Sequence, residues 1–215
     1  MHLAEIWRYP VKSMAGERLA SAVLRPDGLL GDRTVLAVGP DGRLRTARTQ
    51  PGLLGLHATL GPAGGPLVDG LPWDHPEVAA AVERAAGPGV RLVRHEDPDR
   101  FDILPLLVAT DGAIAAFGRD GRRLRPNLVI GGVEGLAERR WEGRVLRIGE
   151  CLVRAVDLRG RCVMTTYDPD TQAQDPEVLR DIVRRFDGTL ALNAEVVRGG
   201  TLREGDPVTL EPAGA

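Results

Sequence analysis

The densest run of chemically useful side chains is LRGRCVMTTYDPDT, from Leu158 to Thr171. It sets Cys162 directly after Arg161, with Arg159 just before and Thr165, Thr166 and Asp168 just after. A guanidinium close to a thiol favours the thiolate, which is both a good nucleophile and a soft metal ligand. The same run also fits a buried, inert strand cysteine followed by an Asp168-Pro169 turn. Cys151, in the plain strand pattern ECLVRAV, is read only in that second way.

Two further stretches carry polar groups at strand ends. In GRRLRPNLVI, Arg125 and Asn127 flank Pro126. Arginine can clamp a phosphate with two N–H groups, and asparagine can both donate to and accept from a heterocycle. A solvated basic turn leading into a core strand explains the same residues. In YPVKSMAG, Lys12 and Ser13 follow a proline where loops carry function. Lys12 is the only lysine beside 27 arginines, so one position alone uses a compact ammonium. It too can be a surface lysine and nothing more.

Several other chemistries find no support. His2, His57, His75 and His95 lack zinc-ligand spacing. No phosphate loop of the Gly-x₄-Gly-Lys type and no Gly-x-Ser-x-Gly elbow is present. Two cysteines cannot build a disulfide scaffold or hold an iron–sulfur cluster.

The 215 residues, 43% hydrophobic and 27% charged, suit a globular protein with room for one large or two small cores. A net charge of −2 without a basic block gives no nucleic-acid or anionic-membrane surface. The opening MHLAEIWRYP has no basic n-region, and no apolar run is long enough to span a bilayer. The expectation is a cytoplasmic protein with no nucleic-acid or membrane partner.

The elements that must position these residues are mainly strands. Glycine (27) and proline (16) punctuate the whole chain, as expected for short strands and tight turns. Strands are predicted at 2–9, 19–25, 33–38 and 56–60, with an Asp-Gly hairpin at 39–43 and a loop at 61–66. A helix starts at Pro76 and stops at Gly87, and a strand follows at 90–95. The acidic, turn-rich EDPDRFD then marks a boundary, dividing the chain into 1–97 and 98–215. The second part predicts an apolar strand over ILPLLVAT and a short helix capped by Asp111. Strands follow at 125–132 and 144–157, the latter a hairpin turning at Gly149-Glu150. A helix capped by Asp175 has Pro176 as its first residue and an apolar stripe of Val178, Leu179, Ile182, Val183 and Phe186. LNAEVVRGG and DPVTLEP close the chain as strands. The predicted class is mainly β (α+β) with a few short helices.

Taken together, YPVKS (9–13), GDR (31–33), RTARTQPGLLGLHATL, FDILPLLVAT (101–110), RLRPNLVI (123–130), GRCVMTTYDPDT (160–171) and GTLREGDPVTL (200–210) resemble MOSC-domain proteins. Within them the sequence is similar to amidoxime-reducing components and their bacterial relatives. The resemblance implies an N-terminal MOSC-associated β-barrel domain over 1–97 and a MOSC β-barrel domain over 98–215. It also implies a molybdenum cofactor, Mo-molybdopterin, with Cys162 as the protein's ligand to the metal. Soft thiolate suits a metal already held by a dithiolene. On the same basis Thr165, Thr166 and Asp168 would line the metal or pterin, with Asp168 and Cys162 in the catalytic role. Arg125 and Asn127 would contact the pterin, and Thr110 would offer a cofactor-binding hydroxyl in the loop after the first MOSC strand. Arg161 would also bind the cofactor, and Lys12, Ser13 and Arg33 would hold its anionic phosphate end and pterin. The implied activity is reduction of small N-hydroxylated substrates, with electrons from a separate donor protein of ferredoxin or cytochrome type. Gln172 departs from the glycine that often follows this motif. Two alternatives stay open: a carrier of the cofactor or of persulfide sulfur on Cys162, and pyridoxal-phosphate binding through Lys12.

Overall fold

The computed structural model of the chain describes residues 1–211. It begins with β1 (His2–Arg8), β2 (Glu17–Leu19), β3 (Ser21–Arg25) and β4 (Gly28–Leu29). Next come β5 (Val35–Val38), β6 (Leu44–Arg45), β7 (Ala58–Leu60), β8 (Pro66–Val68) and β9 (Leu71–Pro72), then α1 (Pro76–Ala86) and β10 (Arg91–Arg94). The remainder holds β11 (Leu106–Thr110), α2 (Asp111–Phe117), β12 (Leu128–Gly131), β13 (Val145–Ile148) and β14 (Cys151–Gly160). α3 (Glu177–Phe186), β15 (Thr189–Arg198), β16 (Gly200–Arg203) and β17 (Val208–Leu210) complete it. The chain is mainly β with three α-helices among the described residues. Pro212, the end of the last expected strand, lies outside them.

One eight-stranded sheet runs β17-β13-β14-β15-β11-β12-β1-β2, and the described residues also form three three-stranded sheets. Only β11 and β12 pair in parallel within the large sheet, and α2 makes the crossover between them. β11 is buried on both faces, and period-2 alternation sorts its side chains. Leu106 and Val108 enter the main core, whereas Leu107 and Ala109 face a smaller cluster with Ala191 and Ile114.

Core membership is not contiguous in sequence. Leu3, Ile6, Ala22, Leu24 and Leu29 pack with Leu106, Leu128, Val153, Leu192 and Leu202 in the main core. A second core, drawn from residues 11–92, gathers Val11, Met14, Val35, Leu53, Val68 and Val82. The expected strand 19–25 breaks at Ala20 because its two parts serve different sheets: β2 pairs with β1, and β3 pairs with β16.

Local chemistry corrects four expectations. The strand over ILPLLVAT starts only at Leu106, and residues 101–103 run as bends outside any strand or helix. α2 is capped by Thr110, whose Oγ1 accepts from Ala113 N at 3.0 Å; Asp111 is instead its first residue. Asp111 accepts from Gly132 N (2.7 Å) and Val133 N (3.0 Å), stitching the end of β12 to α2. α3 starts at Glu177, one residue after Pro176, although Asp175 Oδ1 still accepts from Glu177 N at 3.0 Å. Val183 is 58% exposed, so only Val178, Ile182 and Phe186 anchor α3 in full. Each such burial is worth ~1.5–3 kcal/mol.

Candidate functional site

Three stretches read from the sequence converge on one cleft. Its wall includes Lys12, Ser13, Arg33, Arg125, Asn127, Arg161 and Cys162. Each arrives by a sharp local device. Lys12 and Ser13 lie in the turn after β1, and Ser13 has φ 71°. That turn folds back against Tyr9, and a Cβ on Gly16 would meet Arg8 O at 2.3 Å. Arg33 (φ 54°) and Arg125 (φ 55°) are also left-handed without being glycine. Such backbone is costly for ordinary side chains and clusters at functional sites.

Cys162 enters from β14. That strand pairs with β15 over its length, with register breaks between Ala155 and Asp157 and between Leu158 and Gly160. Bulges re-aim a strand end. The thiol is half-buried and begins a tight turn, Val163–Thr166. The two threonines close that turn: Thr165 Oγ1 donates to Cys162 O (2.9 Å), and Thr166 Oγ1 donates to Val163 O (2.7 Å). Arg123 clamps it from outside, donating to Thr166 O (3.1 Å) and to Asp168 Oδ2 (2.9 Å).

The cleft is strongly cationic. Lys12, Arg33, Arg48, Arg123, Arg125, Arg159 and Arg161 line it, against one carboxylate, Asp102. Arg125 Nη2 and Arg161 Nε are sealed from solvent with no hydrogen-bond partner. Burial pulls both guanidinium groups down to about 10, so both remain charged at neutral pH. Arg125 lies 4.2 Å above the ring of Tyr9, whose own phenol burial pushes up to about 12. Buried donors without acceptors are rare because each one costs free energy. Two of them, on residues that line one cleft together with a thiol, suit an anionic ligand with a soft metal.

Not every predicted site residue reaches the cleft. Thr110 is fully buried at the start of α2 and donates to Glu138 Oε2 at 3.3 Å. Thr165 and Thr166 are buried turn-formers. Asp168 accepts from the Thr171 and Asp170 amides and pairs with Arg123, contacts that hold its carboxyl below the usual range. It is a structural acceptor set back from the cleft. Asn127 does line the wall, but protein groups engage its amide. Oδ1 accepts from Leu107 N (3.1 Å), and Nδ2 donates to Trp7 O and Asp32 Oδ2 (both 3.3 Å). It locks β1, β11 and the Asp32–Arg33 turn together.

Other wall residues went unassigned in the sequence. Arg48, Arg159, Phe101 and Asp102 all line the cleft. Arg159 stood in the cysteine motif, and Asp32 in GDR; Asp32 is fully buried and accepts from Tyr9 N at 2.7 Å. A second, aromatic cleft with Trp7, Tyr9, His57 and Tyr167 shares Arg123, Arg125 and Met164 with the first.

Comparison with known proteins matches both halves of the chain. A MOSC N-terminal beta barrel domain matches residues 1–91, and a MOSC domain matches residues 114–209. The human mitochondrial amidoxime-reducing component 1 is 26% identical over 279 aligned positions, covering 97% of this chain and 82% of the relative. The mitochondrial amidoxime reducing component 2 of Macaca fascicularis is 25% identical, covering 96% and 82%. The crystal structure of the YuaD protein from Bacillus subtilis superposes with a TM-score of 0.53 at 12% identity, covering 97% of this chain and 93% of that one. The last is a likeness of fold.

Proposed function

We propose that this chain, a MOSC protein with an N-terminal MOSC beta barrel domain followed by a MOSC domain, binds the molybdenum cofactor in the cationic cleft. Within this proposal it is an oxidoreductase that reduces small N-hydroxylated compounds, taking electrons from a separate donor protein. The observation that carries it is the pair of orphaned guanidinium atoms of Arg125 and Arg161 beside the half-buried Cys162.

The donor set fits the group. Lys12, Arg48 and Arg159 offer charge to its phosphate, and Arg125 and Arg161 offer N–H groups that no protein atom meets. Cys162 offers the soft thiolate. When bound, the cofactor supplies two-electron oxygen-transfer chemistry, and the protein's share is to bind and orient it. Arg159 and Arg161 line the cleft on either side of Gly160, next to Cys162. Thr165, Thr166 and Arg123 fix the turn that aims the sulfur. Tyr9 carries Arg125 on its ring face and screens it from water. We divide the matched domains at residue 97 and assign the protein to the cytoplasm, where free thiols stay reduced. No helix among the described residues is long and apolar enough to cross a membrane.

Pyridoxal binding at Lys12 is disfavoured. Its Nζ donates to Arg100 O (2.7 Å) and pairs with Asp102 (2.9 Å), the posture of a cation and not of a free amine. The test of the proposal is metal content after expression in a molybdopterin-competent host. Wild type should hold about one molybdenum per chain, and Cys162→Ala should lose most of it. Equal, negligible molybdenum in both would overturn it.

A further inference from the structure

The segment Glu96–Leu104 crosses from the smaller core to the larger one and passes over the cationic cleft. Arg100 anchors it. That side chain is 3% exposed and donates to Asp27 Oδ2 (2.7 Å), Asp27 O (3.0 Å) and Asp32 O (3.3 Å). Beyond the anchor the chain is held differently. Asp102 and Ile103 lie in bends, and Ile103 is 55% exposed. Phe101 packs under Arg100 and Arg33, and past it the tip is tied to the cleft by charge. Asp102 Oδ1 sits 2.9 Å from Lys12 Nζ, and its Oδ2 meets Arg48 and lies 3.7 Å from Arg159. Burial pushes the Asp102 carboxyl up, but Lys12, Arg48 and Arg159 together outweigh it and hold the group below its ordinary value.

Three cations from separate parts of the chain thus converge on one carboxylate, the only one on the cleft wall among the described residues. A phosphate monoester presents more acceptor oxygens and up to one more negative charge than a carboxylate. We propose that Asp102 is a built-in stand-in for the ligand's phosphate, and that strap 101–104 and a phosphate-bearing ligand compete for Lys12, Arg48 and Arg159. The inference rests on the cleft being an anion site, as in the function proposed above. It adds that the site is self-occupied until ligand arrives. The strap keeps the cations from repelling one another in the empty protein and yields them on binding. Arg100 keeps its root in place, so the movement is confined to the tip.

The experiment uses full-length protein from a host that makes no molybdopterin, with inorganic phosphate as probe. Calorimetric titration compares wild type, Asp102→Asn and Asp97→Asn. Asp97 is an exposed carboxylate on the same segment, so its variant carries the same change in net charge. Asp102→Asn should bind phosphate about tenfold more tightly than wild type at low salt, and Asp97→Asn within about twofold. Equal affinities for the two variants, or no phosphate binding by any of the three, would overturn the competition. Should Asp102→Asn fold poorly, wild type alone decides. Saturating phosphate should speed amide hydrogen exchange over 101–104, and unchanged exchange would overturn the proposal. The outcome is separable from the cofactor reading, because molybdenum retention by wild type but not Cys162→Ala is measured independently of Asp102.

Discussion

The two cysteines bracket one strand and live in opposite worlds. Cys151 starts β14 and is fully buried in the main core with Ile148, Val153 and Val208. Burial, with Glu150 and Asp206 nearby, pushes its thiol up to about 11. Cys162 follows the other end of β14, half-buried in a cleft lined by seven cations. Residue type is the same and the strand is the same. Cys151 lies within the strand and points into the core, whereas Cys162 follows two residues past the strand's end and reaches the cleft wall.

The largest expected contrast is in reactivity. With cofactor-free folded protein, a small alkylating reagent should label Cys162 at least about a hundredfold faster than Cys151, which reacts only through opening of the core. Similar rates, read by peptide mass spectrometry, would erase the contrast. Next is a reciprocal pair of variants. Cys162→Ala should cut molybdenum retention about tenfold and leave melting nearly unchanged. Cys151→Ala should keep the metal and lose about 1–2 kcal/mol of stability through the cavity it leaves. Metal loss from both variants would mean that the strand acts as one unit. A smaller effect tests the single ammonium. Lys12→Arg should keep the fold but release cofactor severalfold faster, because a broad planar fork does not reproduce the compact ammonium that Lys12 presents from beside Arg100 O. Full retention would return Lys12 to an ordinary role.

The smallest effect is in alkali. Folded Cys151 keeps its proton to about pH 11, whereas the unfolded thiol loses it near its ordinary value of 9.0. In that window the unfolded state binds fewer protons, so stability falls as pH rises, by about 1 kcal/mol or more. Tyr9, held up at about 12, extends the decline. Cys151→Ala should flatten the melting-temperature profile between pH 9 and 11 relative to its own neutral value. An unchanged slope would place the thiol in contact with water.

The residues that local motifs bring to the candidate site were legible in the sequence. Cys162, Arg125, Arg161, Lys12, Ser13, Arg33 and Asn127 meet in one cleft. Thr110 and Asp168 did not follow, because polar side chains near a motif also serve as caps and turn acceptors. Thr110 satisfies Ala113 N, and Asp168 satisfies two amides of its own turn. Asp102 was invisible for the opposite reason. EDPDRFD reads as an acidic linker, and only the tertiary fold sets its carboxylate among cations far away in sequence. Helices α1 and α3 and the hairpins were readable from capping and Asp-Gly signals. That β1 would join the larger sheet was not, since pairing across more than a hundred residues leaves no local trace.

The pairing of β16 with β3, and the bridge from His2 to Pro207, tie the two extremities of the chain together. During synthesis, therefore, the first strands emerge from the ribosome long before their partners exist. They must wait, shielded by chaperones or by transient collapse, until the final strands are released. The cleft depends on β1 being seated, so any cofactor would be loaded only after the strands up to β17 have been made.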